Sequence, residues 1–200
     1  MQDIIVAADG PLCRIVLNRP QKANALTEPM LVAVRDAVRQ ARGRVLVLTG
    51  AGGVFSAGAD LDAARAGLAV SPLWEEVSAA IAGFAGLTIA ALNGSCAGGA
   101  MGMVLACDLR VAVPSARFFY PVMRLGYLPQ PSDPGRLRAL VGPARAKLLL
   151  MGGAKIGADA ALAMGLVDRV AEDVEAEAAL LATDVLAAPE GHAAAIKAMI

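Results

Sequence analysis

Histidine occurs once, as His192, and the three cysteines, Cys13, Cys96 and Cys107, include no CxxC pair. So few soft ligands argue against a zinc site, and no metal is expected. Isolated thiols fit a reduced, cytoplasmic setting. Net charge is missing as well. The 18 basic residues balance 18 acidic ones, and Lys and Arg are scattered singly along the chain. Without a basic stripe, neither nucleic acid nor an anionic membrane surface is an expected partner. The N-terminal stretch MQDIIVAADG places an acid at Asp3 and no basic segment before an apolar block, so a secretory leader is not expected.

Charge disappears altogether between Val77 and Cys107, a run long enough to span a bilayer. Its details oppose that reading. Asn93-Gly94-Ser95 and Gly98-Gly99 interrupt it, Ala and Gly rather than Leu and Phe fill it, and no Lys/Arg cluster or aromatic belt flanks it. A buried strand, turn and helix is the expected structure. With 57% hydrophobic and 18% charged residues over 200 positions, the chain can bury a substantial core as one domain and is not of disordered composition.

What is present alternates strand and helix signals. Ile4–Ala7 and Cys13–Leu17 flank Asp9-Gly10, a hairpin pattern. Thr27 can cap a helix with Pro29 in its first turn and Met30, Leu31, Val34, Ala37, Val38 and Ala41 on its apolar face, ending near Gly43. Val45–Thr49 reads as a strand buried on both faces. Ser71-Pro72 with Glu75 and Glu76 predicts a second helix start, running to about Gly86. A strand at 88–92, a glycine turn, a helix at 99–106, a strand at 109–113 and a short strand at 117–119 follow, so the fold class is α/β. Beyond Pro134 the pattern is helical, with one short strand at 166–170 and two Ala-rich helices at 174–186 and 189–200. No linker divides the chain.

Six phrases then coincide in order: LNRPQKANAL, LTGAGGVFSAGADL, AALNGSCAGGAMGMVLACDLRVA, ARFFYP, RLGYLP and LVGPARAKLLLMGGAKIGADAALAMGLVDRV. Together, from about Val16 to Val170, they resemble the crotonase superfamily, the enoyl-CoA hydratase/isomerase fold. The resemblance implies a single domain over 1–200: a spiral of ββα repeats over about 1–170 and a helical C-terminal part at 171–200, shortened relative to the family. It also implies a homotrimer or dimer of trimers, an acyl-CoA substrate and no cofactor beyond the coenzyme A of that substrate.

The family's thioester chemistry uses an oxyanion hole, in which two preorganised backbone N–H groups lower the barrier by about 3 to 4 kcal/mol each. By resemblance these are the amides of Ala59, in FSAGADL, and Gly99, in the Gly98-Gly99-Ala100 turn that opens a helix. Close helix packing alone would also use Gly98-Gly99. Asp60 is expected to cap its loop or the next helix, Asp108 to do similar work, and Arg19 to pack or pair within the fold. Coenzyme A contacts are implied for Ala25 and Leu26, for the loop Ala57, Gly58, Ala59, Asp60 and Leu61, and for Lys22 near the phosphates. An exposed solubilising lysine is the alternative for Lys22.

Hydratases of this family place two glutamates around one water. The matching positions here are Gly102 and Val122, and a third position used by some members aligns with Gln130. Simple hydration by the usual pair is therefore not expected. Asp133, Tyr120 and Tyr127 remain as nearby acid/base candidates, Asp133 being the only carboxylate, with a helix-capping turn residue before Pro134 as its alternative. Isomerisation, decarboxylation or thioester cleavage is the expected reaction type. A catalytically silent acyl-CoA-binding or assembly subunit is the second reading. A third is a cysteine hydrolase, because Gly94–Gly98 resembles a nucleophile elbow with Cys96 in place of serine, although His192 has no evident route to it.

Overall fold

The computed structural model describes residues 2–200. An opening hairpin pairs β1 (Ile4–Asp9) antiparallel with β2 (Leu12–Leu17), turning at Gly10 as the sequence predicts. Helix α1 (Glu28–Gln40) buries Met30, Leu31, Val34 and Val38. Thr27 holds its N-cap position, but the hydroxyl makes no capping hydrogen bond. Pro29 already fixes φ in the first turn and removes one N–H that would need a partner, so the helix starts without that bond.

From β3 the chain repeats one unit: a long strand, a turn, a short strand and a helical segment. The first unit is β3 (Val45–Gly50), β4 (Val54–Ser56), α2 (Leu61–Arg65) and α3 (Leu73–Ala82). The second is β5 (Leu87–Leu92), β6 (Ser95–Ala97) and α4 (Ala100–Ala106), and the third is β7 (Leu109–Ala112), β8 (Arg117–Phe119), α5 (Val122–Leu125) and α6 (Asp133–Leu150). Then come β9 (Ile156–Gly157), α7 (Ala158–Ala163), β10 (Arg169–Val170), α8 (Val174–Ala187) and α9 (His192–Lys197). Long strands stack in one sheet, ordered β1-β2-β3-β5-β7 with the two-residue β10 beyond β7, and short ones in a second, ordered β4-β6-β8-β9. Each repeat thus gives one strand to each layer, the ββα spiral that the resemblance implies.

Both faces of the sheet are covered at its central strands β3 and β5, which explains their unbroken apolar runs. Leu46, Leu48, Ala90 and Leu92 join the larger core with α1, α3 and α4. Their neighbours Val45, Val47, Ile89 and Ala91 turn to the other face, against Val174, Ala178 and Ala182 of α8. Side-chain amides stitch successive turns together: Asn24 Nδ2 donates to the carbonyls of Ala51 (2.9 Å) and Val54 (2.7 Å). Asn93 Nδ2 donates to Gly52 O at 2.7 Å while its Oδ1 accepts the Gly50 N–H at 3.0 Å.

Three boundaries differ from expectation. Helix α3 ends at Ala82, and Pro72 rather than Ser71 takes its N-cap position, Ser71 Oγ accepting the Leu73 N–H from one residue outside. The strand expected at 166–170 shrinks to Arg169–Val170 because Leu166 and Val167 enter the main core as loop residues. The uncharged Val77–Cys107 run divides among α3, β5, β6 and α4, and among the described residues no helix is long and apolar enough to cross a membrane.

Candidate active site

A cavity of about 170 Å³ opens between the second sheet, α4 and the segment after β8. Its first wall is the loop that follows β4. The Leu26 N–H donates to Gly58 O at 2.7 Å, and the Asp60 N–H donates to Leu26 O at 2.8 Å. This parallel bridge holds the loop extended, so successive residues face opposite ways. Ala57, Ala59 and Leu61 line the cavity. Asp60 faces the other side, where Oδ1 accepts the N–H groups of Asp62 (3.1 Å) and Ala63 (3.3 Å) and Oδ2 accepts from Arg19 at 2.7 Å. The Arg19 guanidinium and the capped amides hold this carboxyl below its ordinary range. Asp60 thus caps α2 and pairs with Arg19 on the side away from the cavity.

The Ala59 N–H points away from Leu26 and has no acceptor among the described residues. Gly99, the N-cap residue of α4, also has an N–H without an acceptor there, whereas the Gly98 N–H donates to Phe119 O at 3.1 Å. Both residues line the same cavity. Glycine at 58 brings them together: its φ is +91°, and a Cβ would lie 2.8 Å from Ala97 O and 3.4 Å from Gly98 Cα. Two stretches of main chain therefore touch with no side chain between them. Gly99 in turn rests on the buried Trp74 ring, where a Cβ would meet ring atoms at 3.0 Å, and the indole Nε1 is fixed by Leu68 O at 2.8 Å.

The opposite wall is made of side chains, including Tyr120, Val122, Tyr127 and Gln130. The Tyr120 hydroxyl donates to Asp133 Oδ2 at 2.8 Å. Asp133 is fully buried, and its Oδ1 has no hydrogen-bond partner among the described residues. The expected capping role is not what this side chain does, since Ser132 occupies the N-cap position of α6 and the Asp133 carboxylate turns inward. Nor does Asp133 line the cavity; it sits behind Tyr120. Burial pushes its carboxyl up to about 6, the nearby Glu75 adds to the rise, and Tyr120 and Arg136 oppose it. Gly102 makes the room: a Cβ there would lie 3.0 Å from each carboxylate oxygen. The position at which the resemblance leads one to look for a glutamate is thus bare, and a carboxylate from α6 lies against it.

Other expected residues fall outside this convergence. Lys22 is exposed on a short 3-10 turn, Pro20–Lys22. The Ala25 N–H donates to Lys22 O at 3.0 Å, and both main-chain groups of Leu26 are engaged with the 58–60 loop, so this segment shapes the first wall. Cys96 is fully buried in β6, is absent from the cavity lining, and has its thiol pushed far up by burial. His192 is exposed at the start of α9. A thiolate nucleophile has neither access nor an activating base there, and the cysteine hydrolase reading is withdrawn. Asp108 ties elements together instead of capping: Oδ2 accepts from the Thr88 N–H (2.8 Å), the Thr88 hydroxyl (2.9 Å) and Lys197 (2.8 Å). Sequence reasoning missed Asn24 and Trp74. Asn24 stood inside the quoted LNRPQKANAL phrase, and Trp74 was the single tryptophan, directly after Ser71-Pro72.

Comparison with known proteins places these features in context. The sequence profile described as Enoyl-CoA hydratase/isomerase matches residues 7–200. A probable enoyl-CoA hydratase, EchA14, of Mycobacterium tuberculosis is 34% identical over 98% of this chain and 80% of its own length. A crotonyl-CoA hydratase of Syntrophomonas wolfei is 34% identical over 87% of this chain and 71% of its own. Among solved structures, an enoyl-CoA hydratase/isomerase of Pseudoalteromonas atlantica superposes with a TM-score of 0.91 at 29% identity, over 99% of this chain and 82% of that one. DspI of Pseudomonas aeruginosa gives 0.89 at 32% identity, over 98% and 79%.

Proposed function

The chain belongs to the enoyl-CoA hydratase/isomerase family, and from that premise we propose that it processes an acyl-CoA thioester by gathering negative charge on the thioester oxygen against the Ala59 and Gly99 amides. One observation carries the reading: two backbone N–H groups without acceptors among the described residues, on residues that line one small cavity. Donors of that kind, fixed before the reaction begins, stabilise an enolate or tetrahedral oxyanion without reorganisation. Coenzyme A lies along the 57–61 loop, with Ala25 and Leu26 supporting that loop and Lys22 reaching the phosphates from the surface. Assembly is as a homotrimer or dimer of trimers.

The reaction is isomerisation, decarboxylation or thioester cleavage, with Asp133 as the nearest carboxylate for proton transfer. Water addition by paired glutamates has no support in the side chains present, because Gly102 and Val122 stand at the two positions concerned. The curated relatives are nonetheless named hydratases. The protein is therefore incubated with 2-enoyl, 3-enoyl, saturated and 2-carboxyacyl-CoA thioesters, and products are read by mass spectrometry. Double-bond migration, loss of carbon dioxide or release of free coenzyme A is expected. Hydration of a 2-enoyl-CoA as the fastest reaction overturns the assignment of reaction type.

A second reading, a silent acyl-CoA-binding or assembly subunit, draws on the cavity lining, which contains no Asp or Glu among the described residues. Binding across the panel without any product decides for it.

A further inference from the structure

We propose that Tyr120 is the residue that meets the reacting carbon, and that Asp133 acts through it as the acceptor and donor of the proton. This rests on the thioester reading above and assigns its missing acid/base group. Tyr120 is part of the cavity wall, whereas Asp133 is not. Its hydroxyl hydrogen is committed to Asp133 Oδ2 at 2.8 Å and the Gln130 main chain also hydrogen-bonds to this phenol, which leaves one lone pair for a proton from another source. The carboxylate behind it is fully buried, with one oxygen lacking a partner among the described residues.

The bare oxygen costs more than the net gain of the one hydrogen bond its partner makes, so the Tyr120–Asp133 pair is a costly tie between these two parts of the fold. Glycine at 102 makes the space in which this carboxylate sits, since a Cβ there would lie 3.0 Å from both of its oxygens. Gly102, Tyr120 and Asp133 come from α4, from the end of β8 and from the first turn of α6, and only the fold brings them together.

The proton steps balance. A Cα–H bond of the bound thioester breaks, its proton joins the Tyr120 oxygen, and the proton leaving that oxygen joins Asp133 Oδ2. The electron pair of the C–H bond forms the Cα–carbonyl double bond, and the carbonyl π pair moves to the oxygen facing Ala59 and Gly99. Negative charge passes from Asp133 to the enolate, and Tyr120 is neutral before and after. A free phenolate is never required, in keeping with burial and the adjacent Asp133 charge, which push this phenol far above its ordinary value. Reversal at the same carbon gives exchange with solvent. Return to a different carbon gives an isomer.

The experiment uses the full chain, with butyryl-CoA in deuterium oxide. Deuterium entering the α position is followed by mass spectrometry, binding by calorimetry and folding by thermal melting. Wild type is expected to bind and exchange, with a rate that rises with pH as Asp133 ionises near 6, in the field of Glu75 and Arg136 and against Tyr120. Tyr120→Phe should lose exchange by about 10²-fold or more with Kd within about threefold. Asp133→Asn can still accept the Tyr120 hydrogen bond but cannot take the proton. It should lose as much and flatten the pH profile, and the double variant should lose no more than either single one. If Tyr120→Phe does not fold, Asp133→Asn carries the test alone. Exchange in either folded variant within threefold of wild type overturns the relay and leaves the thioester reading standing. Wild-type binding with no exchange overturns the relay and favours the silent subunit. Failure to bind butyryl-CoA or any thioester of the panel above overturns the thioester reading itself.

Discussion

The two walls of the cavity are made of different material. On one side stand main-chain amides of Ala59 and Gly99, held where they are because Gly58 lets the first loop lie directly on Ala97 and Gly98. On the other stand the side chains of Tyr120 and, behind it, Asp133. A donor of the first kind is lost only by moving backbone, whereas a group of the second kind is lost by one substitution that leaves the fold in place. Substitutions on the two walls should therefore fail in different ways, and that difference can be measured.

The largest effect is expected on the backbone wall. Gly58→Ala puts a methyl 2.8 Å from Ala97 O at a φ of +91°, a conformation that costs an L-residue about 1 to 2 kcal/mol. The loop must withdraw, carrying the Ala59 N–H with it. Turnover, or α-exchange, should fall by about 10²–10³-fold. Gly53→Ala is the control, because a Cβ there meets nothing within 4 Å, and it should leave the rate unchanged. Equal rates for the two variants would mean that the Ala59 amide is not placed by this contact.

On the side-chain wall the signature is a pH dependence of stability. The folded-state value of Asp133 lies above its ordinary one, at about 6 against 3.8, so the folded state binds the proton more tightly than the unfolded state. Its contribution is fully present below pH 3.8 and is lost as pH rises through about 6. The loss is roughly 3 kcal/mol. Denaturant titrations at pH 4 and pH 7.5 should show that Asp133→Asn removes a fall of that order, so that the variant gains on wild type as pH rises while its proton transfer is gone. A stability difference that stays constant between the two pH values would mean that the carboxyl is ionised at an ordinary pH and is not the poised group required.

This contrast also explains what could be read before the fold was known. The backbone wall was legible because its requirements are local: SAGAD and CAGGA each hold their glycines within a few residues of the donor they place. The uncharged 77–107 stretch, the hairpin and the α1 face were legible for a similar reason, since periodicity and turn chemistry act over short spans. The strands β4 and β6 were not, because they sit among the turn glycines of GAGG and NGSCAGG and their pairing comes from stacking of successive repeats. Asp133 was found only as the nearest carboxylate in sequence, and its role as a helix-capping turn residue was the stronger reading. What separates those roles is the hollow at Gly102 and the hydroxyl of Tyr120, 31 and 13 residues away in the sequence. Neither distance belongs to a local pattern.

The smallest effect is expected outside both walls, at Lys22. Its side chain is exposed and has no ion pair among the described residues. A contact between such an ammonium and a phosphate works in high dielectric and is worth about 0.5 to 1 kcal/mol, a two- to fivefold change in affinity. Because the phosphates lie far from the reacting carbon, the contact is the same in the ground state and the transition state. Lys22→Ala should therefore raise KM two- to fivefold and leave kcat unchanged, and the KM difference should shrink as salt is raised from 50 to 500 mM, since screening weakens an exposed pair first. A fall in kcat would move Lys22 from the mouth of the site to its chemistry. A KM that does not change at low salt would leave the lysine as a solvated surface charge, and the phosphates would need another cation.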